Sequence, residues 1–201
     1  MTRHVASMPD QYFDELYRAS PDPWAFASSE YERDKYAATL AALADGRFRR
    51  ACEVGCSIGV FTRMLAPRCD SVLAIDVAPA ALRQARLVCA GLTQPRFCRM
   101  RIPDQWPRGR FDLMLFSEVL YYLSPADIRR TAVRAIGSLD PGGRAMLVHW
   151  TGETDYPCTG DEAAELFIAT ADPALHVVGH QRRPEYRLDL LACDRGVAAA
   201  Q

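Results

Sequence analysis

The sequence predicts an α/β fold: a doubly wound, mostly parallel, seven-stranded sheet with an antiparallel C-terminal hairpin, preceded by capping helices. Three observations predict it. From Arg50 onward, short apolar runs alternate with helix-length segments, the rhythm of right-handed crossovers between parallel strands. Glycine or aspartate follows the first two of these runs directly, at Gly55 and Asp76. The rhythm then breaks: Leu175–His180 and Tyr186–Cys193 are strand-like with no helix between them, which implies a closing hairpin at one sheet edge.

Each element has its own signals. Tyr12, Phe13, Leu16 and Tyr17 lie one helical turn apart, and Ser20-Pro21-Asp22-Pro23 ends that helix in a rigid elbow. Ser29 can cap a second helix through about Ala44, with Glu32 at capping-box distance, Tyr36, Leu40 and Leu43 on one face, and Asp45-Gly46 as the stop. Ala51–Val54 is the first strand, and Val60–Ala66 the helix after it, ended by Pro67. Val72–Ile75 is the second strand; Pro79 suits the first turn of the next helix, which Gly91 closes. Arg96–Arg101 and Phe111–Phe116 follow as strands three and four. Ser124-Pro125 caps a helix to about Ser138, and Asp140-Pro141-Gly142-Gly143 turns the chain into a fifth strand, Ala145–Trp150. No element is assigned between Trp150 and Leu175.

Length and composition bound the function. The 201 residues read as a single domain, with cap helices over 1–46 and a core over 47–195. Apolar residues are 49% and charged residues 24%, globular proportions, and the net charge of −1 offers nucleic acid no basic field. No run of 18 apolar residues predicts a membrane span, and Met1–Asp10 has no apolar core of signal-peptide length, so the expected location is cytoplasmic. The seven cysteines contain no Cys-x-x-Cys pair and read as buried thiols. His176 and His180 have metal-like spacing but alternate as in a strand and lack further ligands, so no metal is expected. Lys35 is the only lysine against 23 arginines, which reads as genomic bias.

An open α/β sheet binds its ligand beyond the carboxyl ends of its strands. There Glu53-x-Gly55-x-x-x-Gly59 lets backbone turn tightly and approach a ligand, with helix N–H groups behind it. A dinucleotide fingerprint would need glycine where Ser57 and Val60 stand. Asp76 lies where a carboxylate can accept both hydroxyls of a ribose. Glycine loop and acid together point to a nucleoside ligand without a pyrophosphate.

Glu53-x-Gly55-x-x-x-Gly59, Asp76, Glu118-Val119-Leu120-Tyr121-Tyr122-Leu123 and Asp140-Pro141-Gly142-Gly143, in this order, resemble the class I S-adenosylmethionine-dependent methyltransferases over Arg50–Trp150. With Asp22-Pro23-Trp24, Tyr31-Glu32-Arg33 and Leu65-Ala66-Pro67-Arg68-Cys69 added, the chain resembles the nodulation N-methyltransferases, the NodS family. That family methylates the free amine of a deacetylated glucosamine on a chitin oligosaccharide. Two segments depart from the pattern: Ser57 replaces the middle glycine, and His149–Pro157, where the substrate wall is built, differs from the nodulation enzymes.

The resemblance implies S-adenosylmethionine as cofactor, held by Trp24, Tyr31, Arg33, Glu53, Gly55, Cys56, Gly59, Asp76, Val77, Ile102 and Ser117. Arg33 would face the methionyl carboxylate, and Trp24, Phe26 and Tyr31 would form a lid. An amine nucleophile must react neutral, so a proton acceptor or relay is needed beside it. Glu118, Tyr122 and His149, at the ends of strands four and five, are the candidates, with Tyr122 foremost. The expected partner is a small-molecule or oligosaccharide amine. An O-methyltransferase of another metabolite, or a catalytically silent nucleoside-binding module, would share most of these features.

Overall fold

Along the central strands apolar side chains alternate between two faces, and that alternation fixes the layers. In the computed structural model, which describes residues 3–44 and 46–194, β4 (Phe111–Ser117) sends Phe111, Met114 and Phe116 to one side and Leu113 and Leu115 to the other. The first set packs with Ile128, Ala132 and Ala135 of α5 (Pro125–Ser138) and Ala163, Ala164 and Phe167 of α6 (Gly160–Ala171). The second packs with Tyr36 and Leu43 of the N-terminal helical region and Phe61 and Leu65 of α3 (Val60–Leu65). A strand buried on both faces is the mark of a doubly wound sheet.

The remaining elements are α1 (Asp10–Ala19), α2 (Glu30–Ala42), β1 (Phe48–Val54), β2 (Cys69–Asp76), α4 (Pro79–Val88), β3 (Pro95–Arg99), β5 (Leu139–Trp150), β6 (Leu175–Arg182) and β7 (Tyr186–Cys193). The sheet runs β3-β2-β1-β4-β5-β7-β6, with β7 antiparallel to both neighbours. The fold class is therefore as the sequence predicts. The hairpin closes one edge of the sheet as expected, with β6 outermost and β7 inserted between β5 and β6.

The unassigned stretch after Trp150 explains that insertion. It contains α6, whose Thr159 hydroxyl accepts from the Glu162 amide at 3.1 Å while the Glu162 carboxylate accepts from the Thr159 amide at 2.8 Å, a complete capping box. Strand β5, α6 and β6 thus form a crossover, and the gap it leaves is filled by β7. In α2 the expected capping box does not form. Ser29 accepts from the Glu32 amide at 3.3 Å, but the Glu32 carboxylate turns to Lys35. Asp45, the predicted stop, and Arg195, the predicted core boundary, lie outside the described residues. Strands β1, β2 and β5 begin earlier than predicted. At the start of β1, the Asp112 carboxylate accepts the amides of Arg49 and Arg50 at 2.7 and 2.9 Å.

Gly160 opens α6 where no side chain fits: a Cβ there would lie 1.9 Å from the Trp150 carbonyl oxygen. Backbone cannot swing aside as a side chain can, so Gly160→Ala should destabilise the fold by about 3 kcal/mol, the upper range for overpacking. A lowered thermal midpoint checks this, and an unchanged one would show that the β5–α6 junction yields freely.

Candidate active site

The strand ends that should carry the chemistry converge on one cavity of about 1080 Å³. That is the upper end of ligand-site volumes, enough for a nucleoside cofactor and an acceptor side by side. Between β1 and α3 the chain must turn while staying close to what it binds. Gly55 has φ +77°, and the Gly55 and Cys56 amides share the Ile75 carbonyl at 2.9 and 3.0 Å. A Cβ on Gly55 would stand 3.2 Å from Val119. Ser57, in the middle glycine's place, is itself left-handed at φ +48°. Its amide donates to Asp76 Oδ2 at 2.9 Å, and its hydroxyl pairs with that of Tyr17, tying α1 to the loop.

Asp76 takes a second amide, Ala78, on Oδ1 at 2.9 Å, which leaves a lone pair on each oxygen for a diol. Burial pushes its carboxyl up, and the amides of Ala78 and Ser57 oppose that shift. Glu53 is more deeply enclosed. Among the described residues only the Thr62 hydroxyl donates to it, at 2.6 Å, and burial raises its carboxyl to about 8.

Glu118 follows β4 in the left-handed region, φ +53°, costing about 1–2 kcal/mol for a residue with a side chain. What holds it there is a set of partners on every side. Its amide donates to Val148 O at 2.8 Å, and Oε2 accepts from the Tyr121 hydroxyl at 2.8 Å and the Trp150 amide at 2.9 Å. Oε1 binds the Lys35 ammonium, which also reaches Glu32 Oε1 at 2.9 Å. Lys35 is 1% exposed. Burial opposes its charge, but Glu118 and Glu32 outweigh that and hold the ammonium above its ordinary range. The sole lysine of an arginine-rich chain is thus a structural cation in the cavity wall, and reading it as genomic bias missed a site residue.

Tyr122 stands in an aromatic wall, its ring centroid 5.0 Å from Phe13, 4.7 Å from Tyr121 and 4.5 Å from Tyr156. The hydroxyls of Tyr12 and Tyr156 meet at 2.9 Å. Burial holds the Tyr121 and Tyr122 phenols well above their ordinary range, so both keep their protons at neutral pH. At the opposite end Trp24 stacks on Phe26 at 5.5 Å and meets Tyr17 edge-on at 5.6 Å. The Asp22 carboxylate holds that turn through the amides of Phe26 and Ala27, both at 2.9 Å.

The cavity gathers Trp24, Tyr31, Glu53, Gly55, Cys56, Asp76, Val77, Ile102, Ser117, Glu118 and Tyr122. Three predicted site residues fall outside it. Arg33 is exposed and bonds Ser28 O and Glu30 on the outer face of α2, outside the residues that line the cavity. Gly59 caps α3 at φ +80°, and a Cβ there would lie 2.9 Å from Ala85; it is a glycine for helix packing, away from the cavity wall. His149 is fully buried behind the wall, where Nε2 accepts the Leu120 amide at 3.3 Å. Burial lowers its pKa to about 4, so it is neutral at pH 7, and it does not line the cavity. Cavity residues to which the sequence assigned no site role are Lys35, Glu32, Tyr36 and the Tyr17–Ser57 pair.

The model of the nodulation protein S (NodS) family matches residues 11–160. The chain belongs to that family. It is 35% identical to nodulation protein S of Bradyrhizobium diazoefficiens over 60% of this chain and 58% of that one, and 36% identical to nodulation protein S of Rhizobium tropici over 64% and 55%. It therefore spans under two thirds of the length of these relatives. Among solved structures, N-methyltransferase NodS from Bradyrhizobium japonicum WM9 in complex with S-adenosyl-L-homocysteine superposes with TM-score 0.80 at 26% identity, covering 92% of this chain and 98% of that one. A methyltransferase from Pseudomonas syringae superposes with TM-score 0.71 at 34% identity, covering 82% and 99%. The superpositions show that the chain has the class I methyltransferase fold. No helix among the described residues is long and apolar enough to cross a membrane.

Proposed function

We propose that this protein transfers the methyl group of S-adenosylmethionine to the free amine of an amino sugar or deacetylated chitooligosaccharide. The observation that carries the reading is the charge of the cavity beside an aromatic wall. Its cations are all engaged: Arg3 with Glu162, Arg101 with Asp10, Lys35 with Glu32 and Glu118. Glu153 and Asp155 stand on the acceptor side with no cation assigned to them among the described residues. An acidic mouth over tyrosine rings suits an amine carried on a ring whose apolar face can stack. The family match and the N-methyltransferase superposition support the nitrogen nucleophile.

The residues present fit the cofactor. Gly55 admits close backbone approach, Asp76 offers two free lone pairs to a ribose, and Val77 and Ile102 give apolar walls to a base. The bound cofactor supplies an electrophilic methyl group, so the protein's task is to align the acceptor and exclude water. Tyr122 and Tyr156 shape the acceptor side, and Glu118, with both oxygens committed, fixes that wall to Tyr121 and Trp150.

Asp76→Ala should weaken S-adenosylhomocysteine binding at least tenfold in calorimetry, since a charge-assisted contact contributes about 1.5–3 kcal/mol. Equal affinity would remove the ribose assignment. The substrate reading is tested with labelled S-adenosylmethionine. Deacetylated chitin oligomers should be methylated at a rate that rises with pH through the amine's ionisation. Fully acetylated oligomers should be inert, because the amide lone pair is delocalised. Transfer to the acetylated oligomer alone would favour an oxygen nucleophile instead.

A further inference from the structure

The inner face of α2 holds an incomplete polar cluster. Tyr31, Glu32, Lys35 and Tyr36 all line the cavity. Two carboxylates, Glu32 and Glu118, share one ammonium, so the cluster carries a formal charge of −1. Glu118 is saturated by Lys35, Tyr121 and the Trp150 amide. Glu32 is not. It is 7% exposed and Lys35 holds only its Oε1. Oε2 is buried and makes no well-formed hydrogen bond among the described residues, with the Tyr36 hydroxyl its only polar neighbour that opposes, beside Lys35, the rise that burial imposes on the carboxyl. The Tyr31 hydroxyl is buried and unpartnered as well. Its ring is fixed between the Lys35 ammonium, 4.9 Å from the centroid, and Tyr186 at 6.1 Å.

A buried carboxylate oxygen without a donor is costly, and native proteins keep such groups where something else supplies the donor. The missing partner here must donate hydrogen bonds and neutralise one negative charge. A second carboxylate would raise the charge to −2 and is disfavoured. We infer that Glu32 Oε2 and Tyr31 Oη form a subsite for a ligand ammonium or amine, with Lys35 as the residue that positions Glu32. The inference rests on the reading of the cavity as a cofactor and amine site. Two groups share the required chemistry, the α-ammonium of the cofactor's methionyl end and the nitrogen of the acceptor.

Glu32→Gln, which keeps the shape and removes the charge, and Tyr31→Phe separate the two. Each is measured by calorimetry with S-adenosylhomocysteine and with its analogue lacking the α-amino group, then by kcat and KM on a deacetylated chitin oligomer. If the cofactor supplies the ammonium, Glu32→Gln should lose about tenfold in S-adenosylhomocysteine affinity and nothing with the deaminated analogue. If the acceptor supplies it, S-adenosylhomocysteine should bind both variants as it binds wild type. KM for the amine should then rise about tenfold, with a smaller change in kcat. Should Glu32→Gln fail to fold, Tyr31→Phe carries the test, with an expected loss of threefold or more in the same measurement. Folded variants that match wild type in every measurement overturn the subsite. Wild-type protein that binds no S-adenosylhomocysteine overturns the functional reading itself, which the deaminated arm does not touch.

Discussion

Lys35→Met should lower the stability of the protein by about 3–5 kcal/mol, the cost of breaking a buried ion pair from one side. Methionine fills nearly the same volume, so the loss does not come from a cavity. It comes from Glu32 and Glu118, which would face each other in the wall of the site with no cation between them. For a chain of 201 residues that corresponds to a midpoint lower by about 10 °C. Glu118 also loses one of the contacts that hold its left-handed backbone, so the Tyr121 and Trp150 attachments should loosen and methyl transfer should fall with stability. Lys35→Arg should recover little, because a planar fork cannot replace a point charge between two carboxylates in a closed space. The decisive control is Lys35→Met combined with Glu118→Gln. Removing charge from both sides should restore part of the stability, and a double variant no better than the single one would show that the ion pair is not the cause.

That lysine shows where the sequence was legible and where it was not. Residues on opposite faces of a helix are told apart by its phase, and α2 carries Arg33 and Lys35 two positions apart, about 200° around the axis. The buried stripe is Glu32, Lys35, Tyr36 and Thr39, at the i, i+3, i+4, i+7 spacing of a core-facing surface. Three of its four members are polar, so the apolar face of Tyr36, Leu40 and Leu43 gave no role to its polar neighbours, and Arg33 was assigned to the methionyl carboxylate by resemblance and by charge. His149 failed for the sheet version of the same reason. Neighbouring strand residues face opposite sides, and Val148 packs toward α2 and α3 while His149 turns to the other face.

Of the five parallel strands, β3 (Pro95–Arg99) alternates only weakly, and the other four were legible as short apolar runs followed by a turn residue or a helix signal. Their first residues were not, since Arg49, Arg50, Asp70 and Asp140 join the sheet at its solvent-facing end. Helix α6 was missed because its inner stripe is mostly alanine, with Phe167 the one large side chain. The Thr159–Glu162 spacing was the available signal. Gly55 and Asp76 were legible as cavity residues because the tight turn after β1 and the acidic end of β2 each mark a strand's carboxyl end. At Gly59 a packing requirement imitated the same signature.

Glu53 should make stability fall as pH rises through the neutral range. It is 2% exposed at the end of β1, and burial lifts its carboxyl to about 8, with Thr62 opposing the shift and Asp76 adding to it. In the unfolded chain the same carboxyl titrates near 4.3. The folded state therefore keeps a proton that the unfolded state has released, and the stability this provides is complete below about pH 4.3 and lost as pH climbs to 8. At about 1.4 kcal/mol per unit, the change is on the order of 5 kcal/mol, a large share of a typical 5–15 kcal/mol. His149 acts with the opposite sign. Its pKa is lowered to about 4 by burial, so its contribution is complete above about 6.5 and is lost as pH falls toward 4. Between about pH 4.5 and 6.5 the two slopes oppose each other, and above 6.5 Glu53 acts alone. Glu53→Gln removes that titration while keeping an oxygen for Thr62. Urea unfolding of both proteins should give similar stabilities at pH 5 and a growing advantage for Glu53→Gln up to pH 8. Parallel curves across that range would show that Glu53 is already ionised in the folded protein.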